Sequence, residues 1–206
     1  MSNSEFWNQR FEADAERHPD GNPDGHGVFA GEPNPILREL IDPLTPKAPK
    51  NRAIDVGSGR GRHVVWLARN GWDTTAFDFS DVGLAHTRQA LDAEGLAATL
   101  QHGDITTWNP EQDSYDLIVC AYIHLLPEER ARLWSVVRTA IAPGGHVAII
   151  AHHHDNKGHG PGNPKVLYDA GEVASALGDG FVVKQKQRLE RGAGAVDAVV
   201  FAERVE

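Results

Sequence analysis

A glycine-rich stretch follows the first predicted strand and has the residue types of a ligand-binding loop. Residues 53–56 read Ala-Ile-Asp-Val, which is typical of a buried strand, and residues 57–61 read Gly-Ser-Gly-Arg-Gly. Apolar residues then recur at helical spacing until Gly71, which ends the predicted helix. Strand, glycine loop and helix form the first half of a nucleotide-binding unit, in which glycine lets a ligand approach the backbone.

The residues around this loop bear on which ligand it binds. Glycines stand at 57, 59 and 61, and Arg62 occupies the place of the close-packing third glycine of the NAD pattern. Asp55 lies two residues before the first glycine. A carboxylate there competes with a pyrophosphate but suits a cation. S-adenosylmethionine carries an ammonium and a sulfonium, so it fits better than NAD.

Acidic residues also end the next two predicted strands. Asp78 follows the loop by about 20 residues, where a carboxylate can bind both ribose hydroxyls. Phe79 offers a ring face for adenine, and Asp104 ends the third strand within plausible reach of the adenine amine. The alternative is that Asp78 and Asp104 only cap the helices that follow them.

Hydrophobic periodicity predicts the elements that position these residues. Phe6, Trp7 and Phe11 give the first helix an apolar side, so it either packs on the main domain or forms a lid, or does both. Asn34 and Pro35 begin the second helix as cap and first residue. The remaining helices are predicted at 81–94, 127–141 and 168–177, and the remaining strands at 74–78, 99–102, 115–121, 146–151, 181–190 and 195–204.

Five strand–helix repeats followed by a hairpin predict an α/β fold. The sheet should be doubly wound, mostly parallel and seven-stranded, with a C-terminal antiparallel hairpin. Residues 1–50 are predicted to form an N-terminal helical cap and loop within the same domain as the ligand-binding residues 51–206.

Composition narrows the class of protein. The 206 residues carry a formal net charge of −9, which argues against a nucleic-acid partner. No apolar run approaches the ~20 residues of a membrane span, and the polar, acidic N-terminus does not resemble a signal peptide, so a cytoplasmic protein is expected. Cys120 is the single cysteine, which excludes an internal disulfide. Either a monomer or a homodimer fits the sequence.

The motifs between residues 52 and 151 resemble those of class I S-adenosylmethionine-dependent methyltransferases. They read AIDVGSGRGRHVVWLARNGW, AFDFS, GDI, YDLIVCAY and APGG. Within that class, FWNQRF, EPNP and AYIHLLP resemble small bacterial methyltransferases of the tellurite-resistance and thiopurine-like kind. The resemblance implies that the methionine end is held by Asp55, Gly57, Ser58, Gly59 and Gly61, the ribose by Asp78, and the adenine by Phe79, Asp104 and Ile105, with Ala121 and Tyr122 at the sulfonium side.

The candidates for the acceptor side follow the fourth and fifth strands. Tyr122 and His124 follow the fourth, and His124 either serves a hydroxyl acceptor as a general base or packs against the next helix. The histidines at 152–154, together with His159, invite a metal hypothesis. Consecutive side chains on a strand point in opposite directions, however, so no metal is expected; one histidine contacts substrate, or the loop is solvated.

These observations leave three functions open. The first is methyl transfer to a small molecule, whose accepting group could be a chalcogen anion, a thiol, an amine or a hydroxyl. The second is a non-catalytic module that binds S-adenosylmethionine, and the third is a nicotinamide-dependent oxidoreductase. The Asn-Pro-Pro-aromatic motif of amino methyltransferases acting on DNA or protein is absent, since Ala-Tyr-Ile-His stands at 121–124. Arg60 and Arg62 either meet an anion or form a solvated helix start.

Overall fold

The computed structural model describes residues 3–18, 31–46, 51–157 and 160–205. The chain divides into two compact units, Met1–Thr107 and Trp108–Glu206. The described residues form six α-helices, α1 Asn3–Arg17, α2 Pro35–Ile41, α3 Arg62–Arg69, α4 Asp81–Ala93, α5 Pro127–Ala140 and α6 Ala170–Leu177. They form seven strands, β1 Arg52–Val56, β2 Asp73–Asp78, β3 Thr99–His102, β4 Tyr115–Ala121, β5 Ile141–His152, β6 Phe181–Gly192 and β7 Ala195–Arg204.

The strands form one sheet in the hydrogen-bonded order β3-β2-β1-β4-β5-β7-β6. The β1–β2, β2–β3 and β4–β5 pairs are parallel, whereas β7 runs antiparallel to both β5 and β6. This confirms the predicted α/β fold with a mostly parallel seven-stranded sheet and an antiparallel C-terminal hairpin. No helix in the described part of the chain is both long and apolar enough to cross a membrane.

Three predicted details are wrong. Residues 103–114 contain turns and no helix, so only four of the five predicted strand–helix repeats are present. Strand β5 begins at Ile141 and not at His146, because the Pro-Gly-Gly segment at 143–145 lies inside the strand as an irregularity. Tyr115 pairs with Ile141, and Leu117 then pairs with His146. Helix α6 begins at Ala170, where the Asp169 side chain accepts from the first-turn N–H groups.

Helix α1 packs on the glycine loop and α4 within the first unit. Phe11 is buried, and its ring lies 3.3 Å from where a Cβ on Gly59 would stand. Asp14 pairs with Arg60 at 2.7 Å, and both side chains are buried. The predicted apolar side is narrower than expected, because Phe6 is 44% exposed. The contacts that attach the helix thus include an aromatic contact, a buried ion pair and a hydrogen bond from the Ser80 hydroxyl to Asn8 Oδ1.

Helix α2 begins as the sequence predicts. The Asn34 side chain accepts from Ile36 N at 3.0 Å and from Leu37 N at 3.3 Å, and Pro35 occupies the first turn. The backbone N–H of Asn34 also donates to Nε2 of the buried His63 at 3.2 Å. Because Nε2 accepts this bond, the hydrogen-bond network assigns the His63 proton to Nδ1.

We expect His63 to make the stability of the protein sensitive to acid. Burial lowers the pKa of His63 below its ordinary value of 6.5, and the nearby Asp55 carboxylate opposes this only in part. A histidine with a lower pKa in the folded state binds fewer protons when folded than when unfolded. The stability that it contributes is thus present above about pH 6.5 and is lost as the pH falls through the folded-state pKa.

Urea unfolding measured from about pH 8 to about pH 5.5 tests this expectation, because that interval contains the ordinary pKa of histidine. The free energy of unfolding of the wild type should fall more steeply with acid than that of His63→Gln, whose side chain can still accept from Asn34. Burial also lowers the pKa values of His86 and His146, so the variant keeps part of the slope. Equal slopes for the two proteins would contradict the assignment of acid sensitivity to His63.

Candidate functional site

Asp55, near the end of β1, carries a buried carboxylate that the described residues leave without a hydrogen bond. Its side chain is 1% exposed, and neither oxygen has a hydrogen-bond partner. The nearest basic group is His63, whose Nδ1 lies 3.5 Å from Oδ2. A buried carboxylate without a hydrogen-bond donor destabilises the folded state by an energy on the order of several kcal/mol. Asp55 is therefore suited to a ligand that brings its own donor and positive charge.

The glycine loop after Asp55 uses its backbone N–H groups within the protein. Gly57 N and Ser58 N both donate to Phe77 O, at 2.8 and 3.1 Å, and Gly61 N donates to Ser58 O at 3.0 Å. Gly59 N donates to Asp78 Oδ2 at 2.8 Å. A loop that binds pyrophosphate directs such groups at the ligand. The loop of this protein therefore lacks the donor arrangement that NAD requires at these four positions.

Two glycines let α4 approach the loop closely. Gly61 has φ +81°, and a Cβ there would stand 2.5 Å from Thr87 Oγ1. A Cβ on Gly83 would stand 2.8 Å from Gly59 O. The packing role that the NAD pattern gives to a third loop glycine is thus filled by Gly61 and Gly83. A side chain at either position would push α4 away from the loop.

Asp78 links the loop to the end of β2. Its Oδ2 accepts from Gly59 N and its Oδ1 accepts from Ser80 N, both at 2.8 Å. Burial, aided by the charge of Asp55, raises the pKa of Asp78 above its ordinary value, although the backbone hydrogen bonds oppose the rise. The cap of α4 is Ser80, whose Oγ accepts from Gly83 N at 2.9 Å. Asp78 is therefore more than a helix cap, because its carboxylate joins the glycine loop to the start of α4.

The residues proposed for adenine lie at the same edge of the sheet in the first unit. Asp78 pairs with His102 in the β2–β3 register, so Phe79 and Asp104 both follow strand ends. Phe79 is half-buried, and Ile105 is buried. Asp104 is exposed, and its Oδ1 accepts from both the backbone N–H and the hydroxyl of Thr106 at 2.7 Å. Since no helix follows β3, Asp104 stabilises a turn rather than a helix end.

Arg60 is not solvated, whereas Arg62 begins α3. Arg60 is 5% exposed; its Nη1 donates to Asp14 at 2.7 Å and to His18 O at 3.4 Å. Arg62 is half-buried. The Asp14 carboxylate compensates the charge of Arg60, so the two buried acids Asp55 and Asp78 dominate the electrostatics of the loop.

In the second unit, Tyr122 follows directly after β4 in a left-handed backbone conformation. Its φ is +55°, and its N–H donates to Ile150 O at 2.7 Å. Its hydroxyl donates to Asp197 Oδ2 at 2.8 Å. Ala121, the last residue of β4, is half-buried and pairs with Ile150. A positive φ is uncommon for a tyrosine, and the hydrogen bond to Asp197 restrains the direction of the ring.

The structure brings the two proposed acceptor-side residues together with a histidine from β5. The rings of His124 and His152 stack with centroids 5.3 Å apart and planes at 6°. The Tyr122 ring lies 4.8 Å from the His152 ring. Tyr122, His124 and His152 thus form one aromatic group at the carboxyl ends of β4 and β5.

Sequence reasoning missed the two charged residues beneath this group, Asp197 and Arg191. Asp197 is fully buried; Arg191 approaches it at 2.6 Å through Nε and 3.0 Å through Nη2. Burial alone would raise the pKa of Asp197, but the nearby His152 ring and the hydrogen bonds from Arg191 and Tyr122 outweigh it and hold that pKa below its usual range. A lone acid within the apolar run Ala-Val-Asp-Ala-Val-Val was the available signal.

The neighbouring histidines have other partners. His153 Nδ1 accepts from Asp155 N at 3.0 Å, and its Nε2 lies 3.4 Å from Asp169 Oδ2. His154 Nε2 lies 3.1 Å from Leu167 O. His159 lies outside the described residues. Across the parts of the chain that the structure describes, no cluster of three or more His, Cys, Asp or Glu side chains could hold a metal ion.

Comparison with known proteins agrees with this geometry. Residues 53–145 match the family model described as a methyltransferase domain. The chain is 31% identical over 108 residues to ribosomal RNA small subunit methyltransferase C of Alcanivorax borkumensis, which covers 48% of this chain and 32% of that protein. It is 27% identical over 103 residues to the probable S-adenosyl-L-methionine-dependent methyltransferase TehB of Haemophilus influenzae, covering 48% and 35%. The chain therefore spans about a third of the length of these two relatives.

Solved structures share the fold. TehB of Haemophilus influenzae superposes with a TM-score of 0.72 at 17% identity, covering 89% of this chain and 65% of that one. The 1,6-didemethyltoxoflavin-N1-methyltransferase of Burkholderia thailandensis superposes with a TM-score of 0.70 at 17% identity, covering 100% and 92%. The matched model and the relatives identify residues 53–145 as a methyltransferase domain, and the chain shares the fold of class I S-adenosylmethionine-dependent methyltransferases.

Proposed function

We propose that the protein transfers a methyl group from S-adenosylmethionine to a small-molecule acceptor. The observation that carries the proposal is the Asp55 carboxylate, which is 1% exposed and has no hydrogen-bond partner among the described residues. It stands before a loop whose N–H groups at 57, 58, 59 and 61 are used within the protein. Such a site favours a cationic ligand over a pyrophosphate.

Electrostatics around the loop supports the same conclusion. Asp55 and Asp78 are both buried, and the charge of Asp55 is one reason why the pKa of Asp78 is raised. A cation bound beside these carboxylates lowers the energy of their charged forms. When bound, S-adenosylmethionine supplies an activated methyl carbon, and the protein contributes chiefly by holding the acceptor close and aligned.

The proposed contacts follow the chemistry of each part of the cofactor. Asp55 accepts from the ammonium, and the loop glycines Gly57, Gly59 and Gly61, with Ser58, form the surface for the methionine end. The Asp78 carboxylate accepts from the ribose hydroxyls. Adenine lies against Phe79 and Ile105 with Asp104 at its edge, and Ala121 is a further proposed contact.

A small acceptor bound at Tyr122 and His124 is the proposed second substrate. The net charge of −9 disfavours a nucleic-acid acceptor. A chalcogen anion, a thiol, an amine or a hydroxyl can each act as the nucleophile. A cytoplasmic location and a monomer or homodimer complete the proposal.

Titration calorimetry with S-adenosylhomocysteine, and in parallel with NAD, tests the choice of cofactor. We expect S-adenosylhomocysteine to bind with a micromolar Kd, which corresponds to a binding free energy of about −8 kcal/mol. We expect no binding of NAD. Asp55→Asn removes the negative charge and should weaken binding by about 10- to 100-fold. The matched control is Asp92→Asn, an exposed acid of α4. Binding of NAD alone would overturn the cofactor assignment.

Asp78→Ala should weaken cofactor binding and lower stability together. The lost ribose contact is worth about 1–3 kcal/mol. Stability falls because Gly59 N and Ser80 N lose their acceptor, whereas Asp104→Ala, at an exposed turn, should melt close to the wild type. Calorimetry and thermal unfolding separate the two effects. An unchanged affinity in Asp78→Ala would refute the ribose assignment.

His124→Ala should leave cofactor affinity nearly intact while lowering turnover. The residue lies with the acceptor-side aromatic group, and its ring stacks on His152. Turnover is measured as release of S-adenosylhomocysteine with tellurite, selenite, thiols and phenols as acceptors. If the variant instead lost only thermal stability, His124 would be a packing residue.

A further inference from the structure

The strongest unassigned feature of the second unit is His152 with the charged residues around it. His152 is the last residue of β5, and its side chain is 12% exposed. One edge of its ring faces the buried Asp197, and its face stacks on His124. The methyltransferase fold alone does not require a histidine with a carboxylate behind it.

The carboxylate fixes which ring nitrogen of His152 carries the proton. His152 Nδ1 lies 3.5 Å from Asp197 Oδ1. An anionic carboxylate on that side favours the tautomer with the proton on Nδ1, which leaves a lone pair on Nε2. Nε2 is on the opposite edge of the ring, so it is the nitrogen available to accept a proton.

Asp197 is itself held in one orientation. Tyr122 donates to Oδ2 at 2.8 Å, and Arg191 donates to Oδ1 through Nη2 at 3.0 Å. Arg191 also approaches the carboxylate through Nε, which lies 2.6 Å from Oδ2. These donors keep the carboxylate charged and prevent it from turning away from His152. The ion pair with Arg191 is complete without His152, so holding the hairpin does not account for the histidine.

The backbone at Gly160 packs closely against the ring of His152. Gly160 has φ +141°, and a Cβ there would stand 2.7 Å from Cδ2 and 2.9 Å from Nε2 of His152. A side chain at this position would press on the His152 ring near Cδ2. The chain can pass over His152 at this point only because residue 160 lacks a side chain.

We propose that His152 is the general base for the acceptor and that Asp197 is its positioning residue. The acceptor is then a group that carries a proton at neutral pH and must lose it on methylation, such as a hydroxyl. The inference rests on the proposed function, since it names the substrate class of that activity. A pre-ionised acceptor such as tellurite would not need this base.

The proton and electron balance is complete. Nε2 of His152 takes the proton of the acceptor, and the freed electron pair of the acceptor atom forms the bond to the methyl carbon. The carbon–sulfur bond of the sulfonium breaks with its pair left on sulfur. His152 then carries the proton and faces the negative charge of Asp197, which stabilises the imidazolium.

The first test reads the tautomer of His152 directly and needs no acceptor. Two-bond proton–nitrogen correlation spectra of uniformly ¹⁵N-labelled protein, assigned with His152→Gln, should show the proton on Nδ1. Asp197→Asn should populate the form with the proton on Nε2. If Asp197→Asn fails to fold, the wild-type spectrum alone decides. A wild-type ring with its proton mainly on Nε2 would overturn the proposal.

The second test compares acceptors. With phenols, His152→Gln should lower kcat/KM by about 10²- to 10⁴-fold, whereas any tellurite turnover should change by less than about 10-fold. His154→Gln, the neighbouring histidine, is the matched control. Turnover of tellurite alone, or an equal loss with every acceptor together with a lower melting temperature, would show that His152 is not the base.

The pH profile assigns the base among the groups that face it. These groups are Asp197 on β7, Arg191 on β6, and Tyr122 and His124 after β4. The acid limb of kcat/KM should disappear in His152→Gln and persist in His124→Gln; the reverse would assign the base to His124. Binding of S-adenosylhomocysteine is measured on the same proteins, so failure of the methyltransferase proposal is seen separately.

Discussion

The carboxylate of Asp78 holds three elements of the first unit in place. It accepts from Gly59 N in the glycine loop and from Ser80 N before α4, and it lies at the end of β2. The close contact between Gly83 and Gly59 depends on this geometry, because a loop that moved outward would lose it. One carboxylate side chain thus sets the conformation of the loop and the distance of the helix behind it.

The buried acids Asp197 and Asp55 differ in how their charge is compensated. Asp197 receives donors from Tyr122 and Arg191, so the protein compensates its charge internally. Neither oxygen of Asp55 has a hydrogen-bond partner among the described residues, and burial lowers the pKa of His63 beside it. An internally compensated acid can orient a neighbouring group, whereas an uncompensated one favours a cationic ligand. The two proposed roles follow from this difference.

Local signals were sufficient to predict much of the fold. Strands β3 and β4 have their predicted bounds, and Asn34 and Pro35 begin α2, because apolar runs and cap residues act over a few neighbours. The Asp14–Arg60 and Tyr122–Asp197 contacts join residues 46 and 75 positions apart. Such pairs leave no periodic pattern in a single sequence. The proposed base, His152, was one of several candidates until Asp197 distinguished it.

The attachment of α1 to the glycine loop makes the N-terminal segment part of the ligand equilibrium. Phe11 rests on Gly59, and Asp14 compensates the buried guanidinium of Arg60. If α1 detached, the guanidinium of Arg60 in the loop would lose its ion-pair partner Asp14. A ligand that binds the loop in the conformation described here stabilises the attachment of α1. By thermodynamic linkage, the attachment of α1 strengthens the binding of that ligand by the same free energy. Protection of α1 from proteolysis and ligand affinity are therefore two measures of one coupling free energy.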